Sequence, residues 1–199
     1  MQKETISSEK QPVRNLRFLL CDITGNTNLS MPDEEWVSSS IKCLDKAVNE
    51  RPDIIIVRFG RTHIRKRLAL IELCAALKRN ISVNQIPVLV LLSTTHQKLI
   101  KDLNSAGVDF IKYIGDVRLD STMIGKIIQE VGPGDQPGRI LAMICPFIHY
   151  IKIDSIKELT VCGAYRNRMV LGGGRLHEIC EKENHLHCEY YLNPKFDPQ

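Results

Sequence analysis

Residues 50–60 read ERPDIIIVRFG, and the pattern that this stretch begins decides the fold class of the chain. A polar Arg-Pro-Asp turn is followed by the run IIIVRF, in which only the arginine is polar. Such a short β-branched run is typical of a strand that is buried on both faces. A strand of that kind needs helices on both sides of its sheet, so we expect helical segments before and after it.

Similar apolar runs predict three further strands, at residues 16–24 (LRFLLCDIT), 87–92 (PVLVLL) and 108–114 (VDFIKYI). Apolar residues at helical spacing predict helices at residues 30–50, 65–79 and 97–105 and from about residue 120 onward. Strands that alternate with helices form a parallel sheet with right-handed crossovers. The sequence therefore predicts an α/β fold with an open parallel sheet of about four strands.

The first of these helices is expected to begin near Ser30. Ser30 is a suitable N-cap, and the proline and acidic residues of the stretch MPDEE suit a first helical turn. Trp36, Val37 and Ile41 then recur at helical spacing, which extends the helix to about residue 50.

Three stretches of this region resemble the receiver domain of bacterial response regulators. ERPDIIIVR is similar to the family's strand that ends in the phosphoacceptor aspartate, and PVLVLLSTT resembles the next strand, which ends in Ser or Thr. NSAGVDFIKYI resembles the helix end and fifth strand that follow. The resemblance spans about 100 residues within 16–131 and implies a flavodoxin-like, receiver-like fold.

The chain departs from this family at the positions that carry its chemistry. Arg58 stands at the phosphoacceptor position. Of the acidic pair that holds magnesium in the family, only Asp22, beside Cys21, has a counterpart. Ile114-Gly115 occupies the region where the family has a lysine followed by proline. Only about ten residues separate the first strand from the Trp-containing helix, which implies that one helix and one strand are missing. Arginine cannot accept a phosphoryl group, and one carboxylate is too few for magnesium. The sequence thus predicts a truncated pseudo-receiver, a scaffold or ligand-sensing module.

Basic residues crowd the junction between the strand IIIVRF and the next helix. Arginine forks at the carboxyl end of a parallel sheet favour phosphate or carboxylate, so the sequence indicates an anion-binding site. A solvated basic face at a helix start is the alternative. Nucleic-acid binding is a further alternative, with support from the basic group Arg166, Arg168 and Arg175. The candidate anion-binding residues are Arg58, Arg61, Arg65 and Arg67.

A linker is predicted at residues 132–138 (GPGDQPG), where three glycines and two prolines fall in seven positions. The expected organisation is a flexible leader at 1–15, the receiver-like domain at 16–131, the linker, and a small domain at 139–199. A segment of that length is too short for a large apolar core and often needs a metal or disulfides.

Four of the seven cysteines lie in this small domain, at Cys145, Cys162, Cys180 and Cys188. The preceding domain is typical of a reduced, intracellular protein, which favours a metal over disulfides. No CxxC pair is present, which argues against common zinc ribbons and ferredoxin loops. Glycines that allow close backbone approach and tyrosines that could exclude solvent favour an iron–sulfur cluster, and we expect a 4Fe–4S cluster bound by these four thiolates.

Zinc is the alternative metal. Its best ligand set is Cys180, His185 and Cys188 with either Cys145 or Cys162. If the metal is an iron–sulfur cluster, three further residues are candidates to contact the ligands without binding iron themselves: His185, His187 and Tyr165. The remaining cysteines fall on core positions of predicted strands and helices and are expected to be small buried residues: Cys21, Cys43 and Cys74.

Composition limits the function classes without selecting one. A net charge of +4 neither requires nor excludes a nucleic-acid partner. No signal-peptide pattern and no long apolar run occur, so we expect a cytoplasmic protein without a membrane partner. No nucleophile motif or carboxylate pair supports a reaction, which favours a non-enzymatic role with another protein as the partner. The sequence leaves the oligomeric state open.

Overall fold

The structure, a computed structural model, describes residues 16–25, 27–28, 34–60, 64–154, 157–166 and 169–196. Its strands are β1 (Phe18–Asp22), β2 (Thr27–Asn28), β3 (Glu34–Val37), β4 (Ile54–Phe59), β5 (Val88–Leu92), β6 (Phe110–Tyr113), β7 (Leu119–Asp120), β8 (Ile148–Lys152), β9 (Glu158–Cys162) and β10 (Met169–Val170). Its α-helices are α1 (Ser40–Glu50), α2 (Ile64–Arg79), α3 (Gln97–Ser105), α4 (Ser121–Glu130), α5 (Pro137–Ala142), α6 (Gly173–Arg175) and α7 (Glu189–Leu192).

Five parallel strands form the main sheet, in the order β3-β1-β4-β5-β6. This is the strand order of flavodoxin-like doubly wound folds. The predicted α/β class and flavodoxin-like sheet are confirmed, but the predicted number of about four strands is wrong. The additional strand is β3, which pairs with β1 at the edge of the sheet.

Strand β3 occupies part of the predicted first helix. The structure begins α1 at Ser40 rather than near residue 30, and Glu34–Val37 is extended. Parallel pairing with β1 places Val37 opposite Cys21 and buries it, while the indole Nε1 of Trp36 donates to the carbonyl oxygen of Asp22 at 3.3 Å. Long-range pairing with β1 therefore outweighs the local helical pattern. Ser30 lies outside the described residues.

The sequence predicts that one helix and one strand are missing after the first strand, and the structure differs for the strand. The strand is present as β3. In the described residues between β1 and β3, the structure contains β2 and no helix, and β2 pairs in parallel with β7.

The sheet buries a hydrophobic cluster on each face, because successive strand residues point to opposite sides. Leu20 and Ile56 on one face pack with residues of α4, such as Ile124. The other face packs against α1, α2 and α3 and forms the larger cluster.

The C-terminal part begins with α5 and continues into a small antiparallel sheet of order β10-β9-β8. Short helical turns at Leu176–Cys180 and Glu183–His187 and helix α7 follow it. The buried Cys145, Cys162 and Cys180 belong to the same cluster as the α2- and α3-covered face of the main sheet. Within the predicted linker, Pro133–Asp135 forms a 3₁₀ turn and α5 begins at Pro137. The domain boundary itself stays a prediction.

Membrane-spanning segments were sought among the helices of the described ranges. None of those helices is both long enough and apolar enough to cross a bilayer.

Candidate functional site: the Arg58–Asp22 pair and the cysteine cluster

A buried ion pair lies at the carboxyl end of the main sheet. Arg58 ends the apolar part of β4, and its Nη1 donates to Asp22 Oδ2, at the end of β1, over 3.2 Å. The two side chains are 4% and 0% exposed. The parallel register places these two residues directly opposite one another, which brings the two charges together.

The Asp22 carboxylate receives several further hydrogen bonds. Oδ1 accepts from the backbone N–H of Thr24 at 2.8 Å and from its hydroxyl at 2.6 Å, and the Thr27 hydroxyl donates to Oδ2. Arg58 also donates from Nη2 to the carbonyl of Val117. The position that resembles a phosphoacceptor site is thus filled by a paired guanidinium and carboxylate inside the protein.

The predicted basic cluster is only partly within the described residues. Arg58 is buried, Arg65 is exposed, and Arg67 Nη1 lies 3.5 Å from Glu158 Oε2. Arg61 lies outside the described residues. The structure therefore brings Arg58 and Arg67 to different carboxylate partners, and the anion site stays a prediction.

The four C-terminal cysteines come from four different elements that meet in space. Cys145 lies between α5 and β8, Cys162 ends β9, Cys180 ends the turn Leu176–Cys180, and Cys188 precedes α7 as its N-cap. The backbone N–H of Cys145 donates to the carbonyl of Cys180 at 2.7 Å. Cys162 pairs with Ile148 in the small sheet, which places the end of β9 beside the start of β8.

The thiols of these cysteines interact electrostatically. Burial, together with smaller contributions from the neighbouring Cys145, Cys162 and Cys188, raises the pKa of Cys180 to about 12. Burial also raises the pKa of Cys145, with contributions from Cys162 and Cys188. All four thiols therefore share one neighbourhood, although they are distant in the sequence.

Backbone N–H groups and one cation favour the thiolate form at two of the positions. The N–H of Phe147 opposes the effect of burial on Cys145. At Cys188, burial raises the pKa, but the N–H groups of Tyr191 and Tyr190 together with Arg175 outweigh it, so the pKa is lowered. Arg175 Nη2 lies 3.8 Å from the Cys188 Sγ.

The thiols are gathered without being in coordinating positions. Within the part of the chain that the structure describes, no group of three or more His, Cys, Asp or Glu residues is placed to hold a metal ion. The donor types fit a thiolate-binding metal, whereas the side-chain positions do not yet form its coordination shell.

Several aromatic rings of the C-terminal part lie close together, and Phe147, Tyr165, Tyr190 and Tyr191 pack against the buried cluster that contains Cys145, Cys162 and Cys180. The ring of Tyr165 lies 4.9 Å from that of Tyr190, and Phe147 lies 5.9 Å from Tyr191 and 5.8 Å from Phe196. The two candidate histidines differ in environment. His185 is buried, with Nδ1 2.6 Å from the carbonyl of Lys182, whereas His187 is exposed.

A close backbone approach occurs where β8 and β9 begin their pairing. A Cβ on Gly163 would lie 3.0 Å from His149 Nε2 and 3.1 Å from the Phe147 carbonyl, so only glycine fits there without a shift. The position of this glycine directly after Cys162 is the sequence signal for the approach.

Sequence reasoning missed the residues that join the cysteine segment to the main sheet. Gln97, buried at the start of α3, donates from Nε2 to the carbonyl of Cys145 at 2.8 Å and from its backbone N–H to the Tyr150 hydroxyl at 2.9 Å. His96 stacks on Tyr150 with 3.8 Å between ring centroids, and its Nε2 lies 3.1 Å from Glu158. No local pattern marks Gln97, because its partners lie about 50 residues away.

Comparisons with known proteins give structural similarity at low identity. No protein-family model matches the chain, and no curated protein matches it at a significant level. A solved response regulator from Desulfuromonas acetoxidans is 20% identical, with a TM-score of 0.38, and the match covers 59% of this chain and 99% of that one. The phosphorylated cyanobacterial phytochrome response regulator RcpA is 18% identical, with a TM-score of 0.34 and coverage of 57% and 86%. The strand order, rather than these matches, therefore carries the assignment of a flavodoxin-like fold.

Proposed function

We propose that this chain is a non-phosphorylatable, receiver-like signalling protein that binds a 4Fe–4S cluster through Cys145, Cys162, Cys180 and Cys188. In this proposal a protein partner reads the presence or redox state of the cluster. The observation that carries it is the meeting of four thiols from four separate elements in one partly buried neighbourhood.

The surroundings of the thiols support a cluster. Thiolates are the usual ligands of iron–sulfur clusters, and N–H groups directed at their sulfurs stabilise the bound form. Such N–H groups act on Cys145 and Cys188. The rings of Phe147, Tyr190 and Tyr191 pack against the buried residues that include Cys145, Cys162 and Cys180. In this proposal they shield the bound cluster from water.

The Arg58–Asp22 pair supports the loss of phosphotransfer. Arg58 offers no carboxylate to accept a phosphoryl group, and the Asp22 oxygens already accept hydrogen bonds from Arg58, Thr24 and Thr27. A magnesium ion would have to displace these donors from a fully buried carboxylate.

The Gln97–Cys145 contact supports a regulatory role for the centre. In this proposal a metal held by the Cys145 thiol constrains the same residue, whose carbonyl accepts the hydrogen bond from Gln97. Gln97 is the first residue of α3, which packs on the main sheet. The state of the centre can thus reach the flavodoxin-like part through this helix, whose outer face offers a surface to a partner.

Anaerobic purification tests the proposal, with a visible absorption spectrum and iron, sulfide and zinc assays on the same sample. We expect a brown protein with about four irons and about four sulfides per chain. Cys145→Ser and Cys180→Ser should lose them, whereas Cys74→Ala, which removes a buried thiol outside the set, should retain them. A colourless wild-type protein without iron after anaerobic reconstitution would overturn the proposal.

The environment of His185 favours a zinc centre as the second candidate. Its Nδ1 faces the carbonyl of Lys182, an arrangement that fixes the tautomer and leaves Nε2 as the metal-binding nitrogen. A centre of Cys180, His185 and Cys188 with one more thiolate would give a zinc-stabilised adaptor. One zinc per chain, no iron, and loss of zinc in His185→Gln would identify this outcome.

A further inference from the structure

Arg175 lies beside Cys188, and one of its hydrogen-bond donors has no acceptor among the residues that the structure describes. Its Nη2 points to Cys188 Sγ at 3.8 Å, and its guanidinium carbon lies 5.2 Å from the centroid of the Tyr190 ring. Its Nε is buried and has no hydrogen-bond partner among the described residues. A buried N–H of a charged group without an acceptor is unfavourable, so this position favours an acceptor that the described residues do not supply.

The charge of Arg175 also lies next to a proposed ligand. Its Nη2 is 3.8 Å from the Cys188 Sγ. The Tyr190 ring, over which the guanidinium lies, and the position of Arg175 at the end of α6 hold the positive charge near this sulfur. A cation in this place complements a negatively charged metal–thiolate group.

The unused donor distinguishes the two metals. A zinc ion brings a positive charge but no additional hydrogen-bond acceptor, whereas an iron–sulfur cluster brings inorganic sulfides that accept N–H donors. The buried Nε–H therefore matches the cluster better than it matches zinc.

We infer that Arg175 donates its Nε–H to a sulfide or cysteine sulfur of the cluster and raises the reduction potential of the centre. This inference rests on the proposed function. Reduction adds a single electron from a low-potential one-electron donor, with no bond made or broken and no proton transferred. The added negative charge is stabilised by a nearby guanidinium and its hydrogen bond, so Arg175 makes reduction easier.

The test compares midpoint potentials of anaerobically reconstituted proteins in a dye-mediated titration with dithionite, followed by visible absorption. Arg175→Gln removes the charge, and Arg175→Lys retains it but removes the fork that carries Nε–H. The matched control is Arg139→Gln, which removes one exposed positive charge from α5. We expect the potential to become more negative in the order Arg139→Gln, Arg175→Lys, Arg175→Gln.

Each outcome separates the inference from the proposed function. If wild type and all three variants bind a cluster with the same midpoint potential, the role of Arg175 is overturned and the proposed cluster is retained. If Arg175→Gln loses its cluster, the midpoint potential of Arg175→Lys is compared with that of the Arg139→Gln control. Equal potentials of these two variants overturn the inference. A wild-type protein that binds no iron and sulfide overturns the proposed function and this inference with it.

Discussion

Single residues decide what the carboxyl end of the main sheet can do. Arg58 and Asp22 neutralise one another where both are almost fully buried. Removal of one partner of a buried ion pair leaves an unpaired charge and costs about 3–5 kcal/mol. This end of the sheet is therefore a structural contact, and its stability depends on both residues.

Arg58→Met tests that dependence. We expect the free energy of unfolding in urea to fall by about 3 kcal/mol or more, because the Asp22 carboxylate stays buried without its cation. The double variant Asp22→Asn/Arg58→Met has no buried charge and should be more stable than Arg58→Met alone. Equal stability of wild type and Arg58→Met would contradict the role given to this pair.

His96 makes the stability of the junction depend on pH. Burial lowers the pKa of His96, and the positive charge of Arg67 adds to this effect. Together they outweigh Glu158, which raises the pKa. Neutral His96 accepts the N–H of Leu99 at Nδ1 and thereby caps α3, and protonation would remove that acceptor. His96 therefore binds a proton more readily in the unfolded chain than in the native protein. As the pH drops below about 6.5, the free energy of unfolding should fall.

The variant His96→Asn isolates this effect, because asparagine caps a helix without titrating. Urea unfolding at about pH 7.5 and about pH 5.5 should show a smaller loss of stability for His96→Asn than for wild type. The same loss in both proteins would show that other groups cause the pH dependence.

At the scale of elements, the pairing of β8 with β9 requires close contact beside Cys162. Gly163→Ala should lower the free energy of unfolding by about 1–3 kcal/mol, because its Cβ would press on His149 and on the Phe147 carbonyl. Truncation of the histidine in His149→Ala/Gly163→Ala should recover only part of the loss, since the carbonyl remains. Gly172→Ala is the control, because nothing lies within 4 Å of its Cβ. Thermal unfolding measures all three, and equal effects at the two glycines would contradict the proposed contact.

Strand β3, which lies where the sequence predicts a helix, carries few local signals of its own. Strand β3 contains only four residues, and its Trp36 and Val37 fit a helical repeat with Ile41 equally well. A short edge strand is selected by its partner, here β1, rather than by its own propensity. The longer β4 and β5 match their predicted positions closely because their apolar runs suit only a strand buried on both faces.

At the scale of the whole molecule, the cysteine segment and the main sheet share one buried cluster. We therefore expect a single unfolding transition rather than two. Trp36, the only tryptophan, reports on the sheet, whereas four of the five tyrosines lie in the C-terminal part: Tyr150, Tyr165, Tyr190 and Tyr191. Tryptophan fluorescence and the near-ultraviolet tyrosine signal should change at the same urea concentration. Separate midpoints would show that the two parts unfold independently.

The sequence by itself determined the α/β class, the parallel sheet and the set of cysteines that deserves a metal assay. These features follow from local apolar runs and residue identities, which are present before folding. The tertiary structure decided the fifth strand, the Arg58–Asp22 pair, the contact of Gln97 with Cys145 and the unused donor of Arg175. Each of these depends on partners that are distant in the chain or on a buried position. Such contacts arise only when strand pairing and core burial bring distant backbone and side chains together.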